Sequence, residues 1–381
     1  MKKTILRLLI LLGVTITLFL AGCSRLPITG TLPEGLTVEK LAEIDEDSPM
    51  AVSPDGTVLA MASDGLKLFH LPTRQQLDVT DRSPQELAWS PYGYSLAASY
   101  AAEGKSTIVT YDQHGIKVAE TGIDGVITNL SWLSETELLT ASVIITNYKF
   151  GSNVMTVIHR WQPGNSLPKR IEIKNTTIQP LTASRWNQLL AGGPMLDVSR
   201  TADQILYLHP VEPPLFTPYM KLILRDLASG KEMDVAQVSL TSHGGRFTAD
   251  GENILYGDGT GTITRKNPWT GETVATLKGA GTGLEISPAG DYLFADGALF
   301  HGTDMLAMLA PGGSARFTPD GSKLLVAGGG ELYLLSGLHP ANDRLLPVSQ
   351  LGKLLQPRAW RLDNLITPGD YKDALEKTRQ P

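Results

Sequence analysis

The chain has 381 residues, 42% of them apolar, with 33 Lys and Arg against 39 Asp and Glu. Its length is ample for a large core, and a net charge of −6 leaves no basic stripe of the kind a phosphate backbone requires, which excludes nucleic acid as the main partner. A single cysteine cannot close an intrachain disulfide, so the fold stands on buried area alone, and 38 Gly with 24 Pro suit many short turns.

Lys2, Lys3 and Arg7 precede an apolar run over residues 8–20 that is too short to span a bilayer and ends in small residues, the layout of a cleaved export signal. Leu20-Ala21-Gly22-Cys23 resembles the lipobox of bacterial lipoproteins. The resemblance implies removal of residues 1–22, diacylglycerol attachment to Cys23 and acylation of the new amine. Loss of that segment removes three cations and no acid, taking the net charge from −6 to −9. Ser24 stands where such lipoproteins carry an aspartate when retained at the inner membrane, so the resemblance implies an outer-membrane address facing the periplasm in a cell with two membranes. Residues 23–36, with Pro27, Gly30, Pro33 and Gly35, read as a lipidated tether.

Residues 36–44 (LTVEKLAEI) alternate well enough for one strand, yet no hairpin partner precedes them. Their economical place is the outermost strand of the last sheet of a ring, where they leave no long edge exposed. From Ser53 onward a turn-forming tetrad recurs: SPDG at Ser53, SPYG at Ser90, LSET at Leu133, SRTA at Ser199, TADG at Thr248, SPAG at Ser287 and TPDG at Thr318. In each copy an apolar residue sits just before the tetrad and a new apolar run opens two residues after it. Pro presets a type I turn and Gly accepts the positive φ that closes it, so each tetrad marks a hairpin. The spacings of 37, 43, 66, 49, 39 and 31 residues centre on the length of a four-stranded blade. Seven copies predict an all-β, seven-bladed β-propeller. Its third-strand turns at Tyr111-Asp112, Arg225-Asp226-Leu227 with Ser229-Gly230-Lys231, and Pro268-Trp269-Thr270-Gly271 make the pattern similar to the WD40-like and TolB-type propellers of bacterial envelopes over residues 37–348. That resemblance implies a fold rather than a function. LSET and SRTA lack both Pro and Gly, which leaves blades three and four the least regular.

Those two blades also carry excursions. One lies at residues 175–194 and the other at 209–219, where four prolines in eleven residues argue against a central strand. Leu215, Phe216 and Tyr219 are the partner-binding candidates there; folded back on the propeller, the same side chains make a lid. Residues 349–381 form a short helical C-terminal segment. Within it, Thr367-Pro368-Gly369-Asp370 caps a helix, and residues 364–371 (NLITPGDY) resemble the short C-terminal domain called SHOCT, which implies docking or self-association.

No HExxH, GxSxG or paired-cysteine motif is present. The seven histidines are dispersed and read as surface or turn residues. The acids Glu43, Asp45, Glu46 and Asp47 read as a solvated rim, and the glycines of 257–261 and 279–283 as hairpin residues rather than a phosphate cradle. Trp89, Trp132, Phe247 and Phe317, each just before a tetrad, read as inter-blade core. The sequence therefore points to a lipid-anchored cell-envelope propeller that binds or scaffolds an envelope protein, is not an enzyme, and takes no metal or cofactor. The alternative is a propeller enzyme of the lyase or glycosidase type with an axial site. Cys23→Ala is expected to abolish incorporation of a labelled fatty acid and to release the protein from the membrane fraction; retention of either would remove the lipoprotein reading.

Overall fold

The computed structural model describes residues 32–339 apart from 46–47, 103, 150, 165–166, 179–195, 200–202, 212–218, 241, 243, 249, 279–282, 303 and 310–312. The lipobox residues Leu20, Ala21, Gly22 and Cys23, the candidates Leu215 and Phe216, and the C-terminal segment lie outside these residues.

Among the described residues, twenty-eight strands form seven antiparallel four-stranded sheets. Blade one comprises β2 (Met50–Val52), β3 (Val58–Ala62), β4 (Leu66–His70) and β5 (Gln75–Thr80); blade two comprises β6 (Glu86–Trp89), β7 (Ser95–Ala102), β8 (Lys105–Asp112) and β9 (Lys117–Asp124). Blade three holds β10 (Val126–Ser134), β11 (Glu137–Tyr148), β12 (Gly151–Trp161) and β13 (Lys169–Ile178), and blade four β14 (Asp197–Val198), β15 (Gln204–Val211), β16 (Tyr219–Asp226) and β17 (Glu232–Val238). Blade five runs β18 (Gly245–Phe247), β19 (Ile254–Gly257), β20 (Thr262–Lys266) and β21 (Thr273–Lys278), and blade six β22 (Glu285–Ile286), β23 (Tyr292–Ala295), β24 (Ala298–His301) and β25 (Asp304–Met308). Blade seven takes β26 (Ser314–Phe317), β27 (Lys323–Gly328) and β28 (Glu331–Ser336), and is completed by β1 (Thr37–Glu43) from the other end of the chain. First strands neighbour one another around the ring, with β2 against both β6 and β26. The molecule is a seven-bladed β-propeller.

Each sheet has two apolar faces, and the buried clusters lie between blades. Leu59, Met61 and Phe69 of blade one meet Leu325 and Leu332 of blade seven; Ala97 and Ile108 of blade two meet Leu138 and Trp161 of blade three. β1 serves both sides of its blade, sending Val38 toward blade six and Leu41 toward blade one, while Lys40 bonds Glu331 at 2.6 Å.

The tetrads close their hairpins by a shared device. In six blades the hydroxyl of the first tetrad residue (Ser53, Ser90, Ser199, Thr248, Ser287, Thr318) accepts the N–H five residues on at 2.9–3.1 Å. That hydroxyl then donates to a nearby aspartate in five of them: Asp55, Asp203, Asp250, Asp291 and Asp320. Blade two has Tyr92 where the acid belongs, and Glu135 of blade three reaches across to Ser90 and the Tyr92 N–H instead. Adjacent tetrads also touch: a Cβ on Gly93 (φ +77°) would stand 3.3 Å from the Pro54 ring of the preceding blade, which requires glycine there twice over. Blade three departs from this scheme because its hairpin is one residue shorter. The residue before the tetrad pairs with one seven positions on elsewhere (Val52 with Leu59, Trp89 with Leu96), but Trp132 pairs with Leu138, six on, so the LSET segment needs neither Pro nor Gly.

Two expectations about the excursions are corrected. Residues 175–178 belong to β13, and residues 209–211 are strand despite the prolines: they pair with β16, and among the described residues no pairing with β14 reaches them, so no described ladder bond is lost to the missing N–H of Pro210. Removing residues 24–47, and with them β1, is expected to lower the melting temperature by on the order of 10 °C or to abolish cooperative melting; calorimetry showing a smaller drop would count against closure by β1.

Candidate functional site

Because strands alternate, residues one and two positions before each tetrad point to opposite sides of the innermost strand. The first set is Val52, Trp89, Trp132, Val198, Phe247, Ile286 and Phe317. Its members pack between blades as expected, and the tryptophans also stitch them: Trp89 Nε1 donates to the Ala51 carbonyl of blade one at 3.1 Å and Trp132 Nε1 to the Ala88 carbonyl of blade two at 3.0 Å. The second set is Ala51, Ala88, Ser131, Asp197, Arg246, Glu285 and Arg316, and these line an axial cavity of about 380 Å³ that runs up to the tetrad prolines Pro54, Pro91, Pro288 and Pro319.

The cavity wall is charged on one side. Blades four to seven present Asp197, Arg246, Glu285 and Arg316, alternating in sign, with Arg246 3.9 Å from Asp197 and Arg316 3.5 Å from Glu285. Asp197 also accepts the Phe247 N–H at 2.8 Å, and Arg316 Nε donates to the Met50 carbonyl at 3.1 Å, which fixes both ends of the belt. Two residues deeper, about 7 Å along the strands, Glu86 and Asn129 face the same cavity. Burial pushes the Glu86 carboxyl up to about 7, against the pull of Arg316 and Arg246. Asn129 Oδ1 is buried without a hydrogen-bond partner.

A second feature lies on the opposite face. β11 and β12 are 12 and 11 residues long, against 4 and 5 for the matching strands of blade five. β10 stops pairing at Val143, so the hairpin tip from Ile144 to Met155 projects roughly 15 Å past the innermost strand. Tyr148 at its tip is 61% exposed. The projection is braced: Val143, Val154 and Ile178 of blade three pack with Leu208 and Met220 of blade four, and His209 bonds Thr176 at 2.8 Å and Thr156 at 3.1 Å. Tyr219, half-buried, opens β16 opposite Val211 at the foot of the 212–218 connection.

His209 and His159 are buried, not surface or turn residues as the sequence suggested, and burial holds both down to about 4. Among the described residues no group of three or more His, Cys, Asp or Glu is placed to hold a metal ion. The sequence signal for the channel residues is a polar side chain two or four positions before a tetrad, beside the apolar residue that packs between blades. The sequence matches no protein-family model, and no curated protein is significantly similar to it.

A raised carboxyl pKa in the folded state gives stability that is present below the ordinary 4.5 and is lost as pH rises through about 7. Glu86→Gln is therefore expected to gain about 2 kcal/mol on the wild type between pH 4.5 and pH 8, the shift being discounted for solvent entering the cavity. Urea unfolding at both pH values checks this, and an unchanged difference would show that Glu86 is not desolvated.

Proposed function

We propose that this protein is a lipid-anchored propeller of the cell envelope that recognises another envelope protein without catalysis, in the manner of WD40-like and TolB-type modules. The observation that carries the reading is the braced projection of blades three and four. A rigid ring displays an extended hairpin with an exposed tyrosine beside the long connection at 212–218, and recognition favours irregular segments held by a fixed scaffold. The lipobox-like N-terminus supports confinement to a membrane surface, where a modest affinity suffices because the partner is held at high local concentration. A photo-crosslinking amino acid placed at position 148 in intact cells should capture a discrete protein. Capture of nothing above background would overturn the reading.

A second reading rests on the channel. Glu86, Asp197 and Glu285 surround one cavity, and a carboxyl that titrates near neutrality suits general acid catalysis. Screening glycosides and polysaccharides for cleavage that disappears in Glu86→Gln would establish it.

The strand register also sharpens the loop test. Deleting 209–219 would take out buried His209 and three ladder pairs, whereas replacing 212–218 by Asn-Gly joins Val211 to Tyr219 through a two-residue hairpin turn. That replacement is expected to keep the melting temperature within a few degrees and to abolish capture through position 148. Loss of folded protein would mean that 212–218 covers part of the core.

A further inference from the structure

The two tiers of the axial channel differ in what they lack. At the outer tier the charges answer one another, since Asp197 stands by Arg246 and Glu285 by Arg316. At the inner tier, four residues before their tetrads, Glu86 and Asn129 present oxygens that no protein donor answers. No hydrogen bond reaches the Glu86 carboxylate among the described residues, and Asn129 Oδ1 is buried and unpartnered. Blades five and six put Gly244 and Gly283 at the same count, which leaves room opposite. The four charged groups that face Glu86 across the cavity, Arg246 and Arg316 with Asp197 and Glu285, cancel in sign, so Glu86 is the one carboxylate in excess.

We infer that the inner tier of the channel binds a primary ammonium group, seated between Glu86 and the carbonyl of Asn129. An ammonium carries three N–H donors and one positive charge, which answers a carboxylate and an amide oxygen together. A quaternary ammonium supplies the charge without the donors and leaves the Asn129 oxygen unanswered. A half-buried carboxylate and a buried amide oxygen each cost free energy when left unpaired, so a ligand that satisfies both gains more than the same contacts would give in water. The primary ammonium has two natural sources, a small free amine or the lysine side chain of a polypeptide.

The test is titration of the full-length protein in detergent micelles, followed by calorimetry and by saturation-transfer NMR. The probes are n-butylammonium, tetramethylammonium and the acetylated, amidated peptide Ala-Ala-Lys-Ala-Ala. Saturable n-butylammonium binding at pH 8 is expected, weakened by about tenfold or more in Glu86→Gln, at pH 5, and for tetramethylammonium. Peptide binding tighter than n-butylammonium would identify a lysine as the source; weaker binding would identify a free amine. Asn129→Asp, which adds a second carboxylate, should tighten n-butylammonium and keeps the idea testable if Glu86→Gln fails to fold. No saturable binding, or binding that ignores both substitutions, overturns the inference. Capture of a partner through position 148 is independent of this result.

Discussion

The constraint on which everything else rests is that a four-stranded antiparallel sheet with two apolar faces cannot cover both by itself. Each blade here is covered only by the next. Clusters such as Leu66, Leu96 and Tyr100 between blades one and two, or Phe294, Leu324 and Leu335 between blades six and seven, have no other source of burial. An open row of such blades would end in two bare faces, so the units must circle until the last meets the first. The join is made by main-chain bonds as well as packing, because β1 enters blade seven from the far end of the sequence. Closure by β1 therefore couples the N-terminal segment to the stability of the whole ring.

Ring closure also dictates the chemistry at the axis. The innermost strands are short, two to four residues in most blades, and their alternation leaves no choice about which side chains enter the channel. A polar residue two or four positions before a tetrad is half-buried in the channel and faces its counterparts from other blades. Arg246 and Arg316 meet the cost of that burial with neighbouring acids and carbonyls, whereas Glu86 meets it by holding its proton to about pH 7. The same architecture that buries the tryptophans between blades thus concentrates charge where blades converge.

Much of the fold was legible because its signals are local. A serine or threonine with an aspartate and a glycine closes a hairpin through bonds confined to six residues, so Ser53, Thr248 and Thr318 announce their turns in the sequence. The unpaired strand at 37–43 was legible for the opposite reason, since a lone strand and one last blade short of a strand leave it one place to go. What stayed hidden depends on partners far away in the chain. Glu135 fills a gap left by Tyr92 in another blade, and Pro210 sits in a strand that pairs with β16 opposite Met220. His209 is buried by threonines 33 and 53 residues away. The channel belt is hidden in the same way: Asp197 and Arg246 become neighbours only once the ring fixes which innermost strands adjoin. Leu215 and Phe216 lie outside the described residues, so the loop itself adds nothing on this point.

The direction of β1 sets how the two candidate surfaces would face a membrane under the proposed lipid anchor. First strands run toward the tetrads, and alternation brings β28 back toward them, so Thr37, paired with Ser336, begins β1 on the tetrad face. Leu32 and Leu36 already pack against the cluster between blades six and seven. If Cys23 carries the proposed lipid, the nine residues 23–31 would allow a reach of about 30 Å at full extension between the bilayer and the start of the described chain. The tetrad face would then be held toward the bilayer. A gap of that size is about the width of a small domain, which would favour a small amine or a single extended segment over a folded partner at the channel. The projecting hairpin of blades three and four points the other way. On the proposed anchoring, a folded partner would meet Tyr148 from the solvent side, while the channel would sample what lies between the propeller and the membrane.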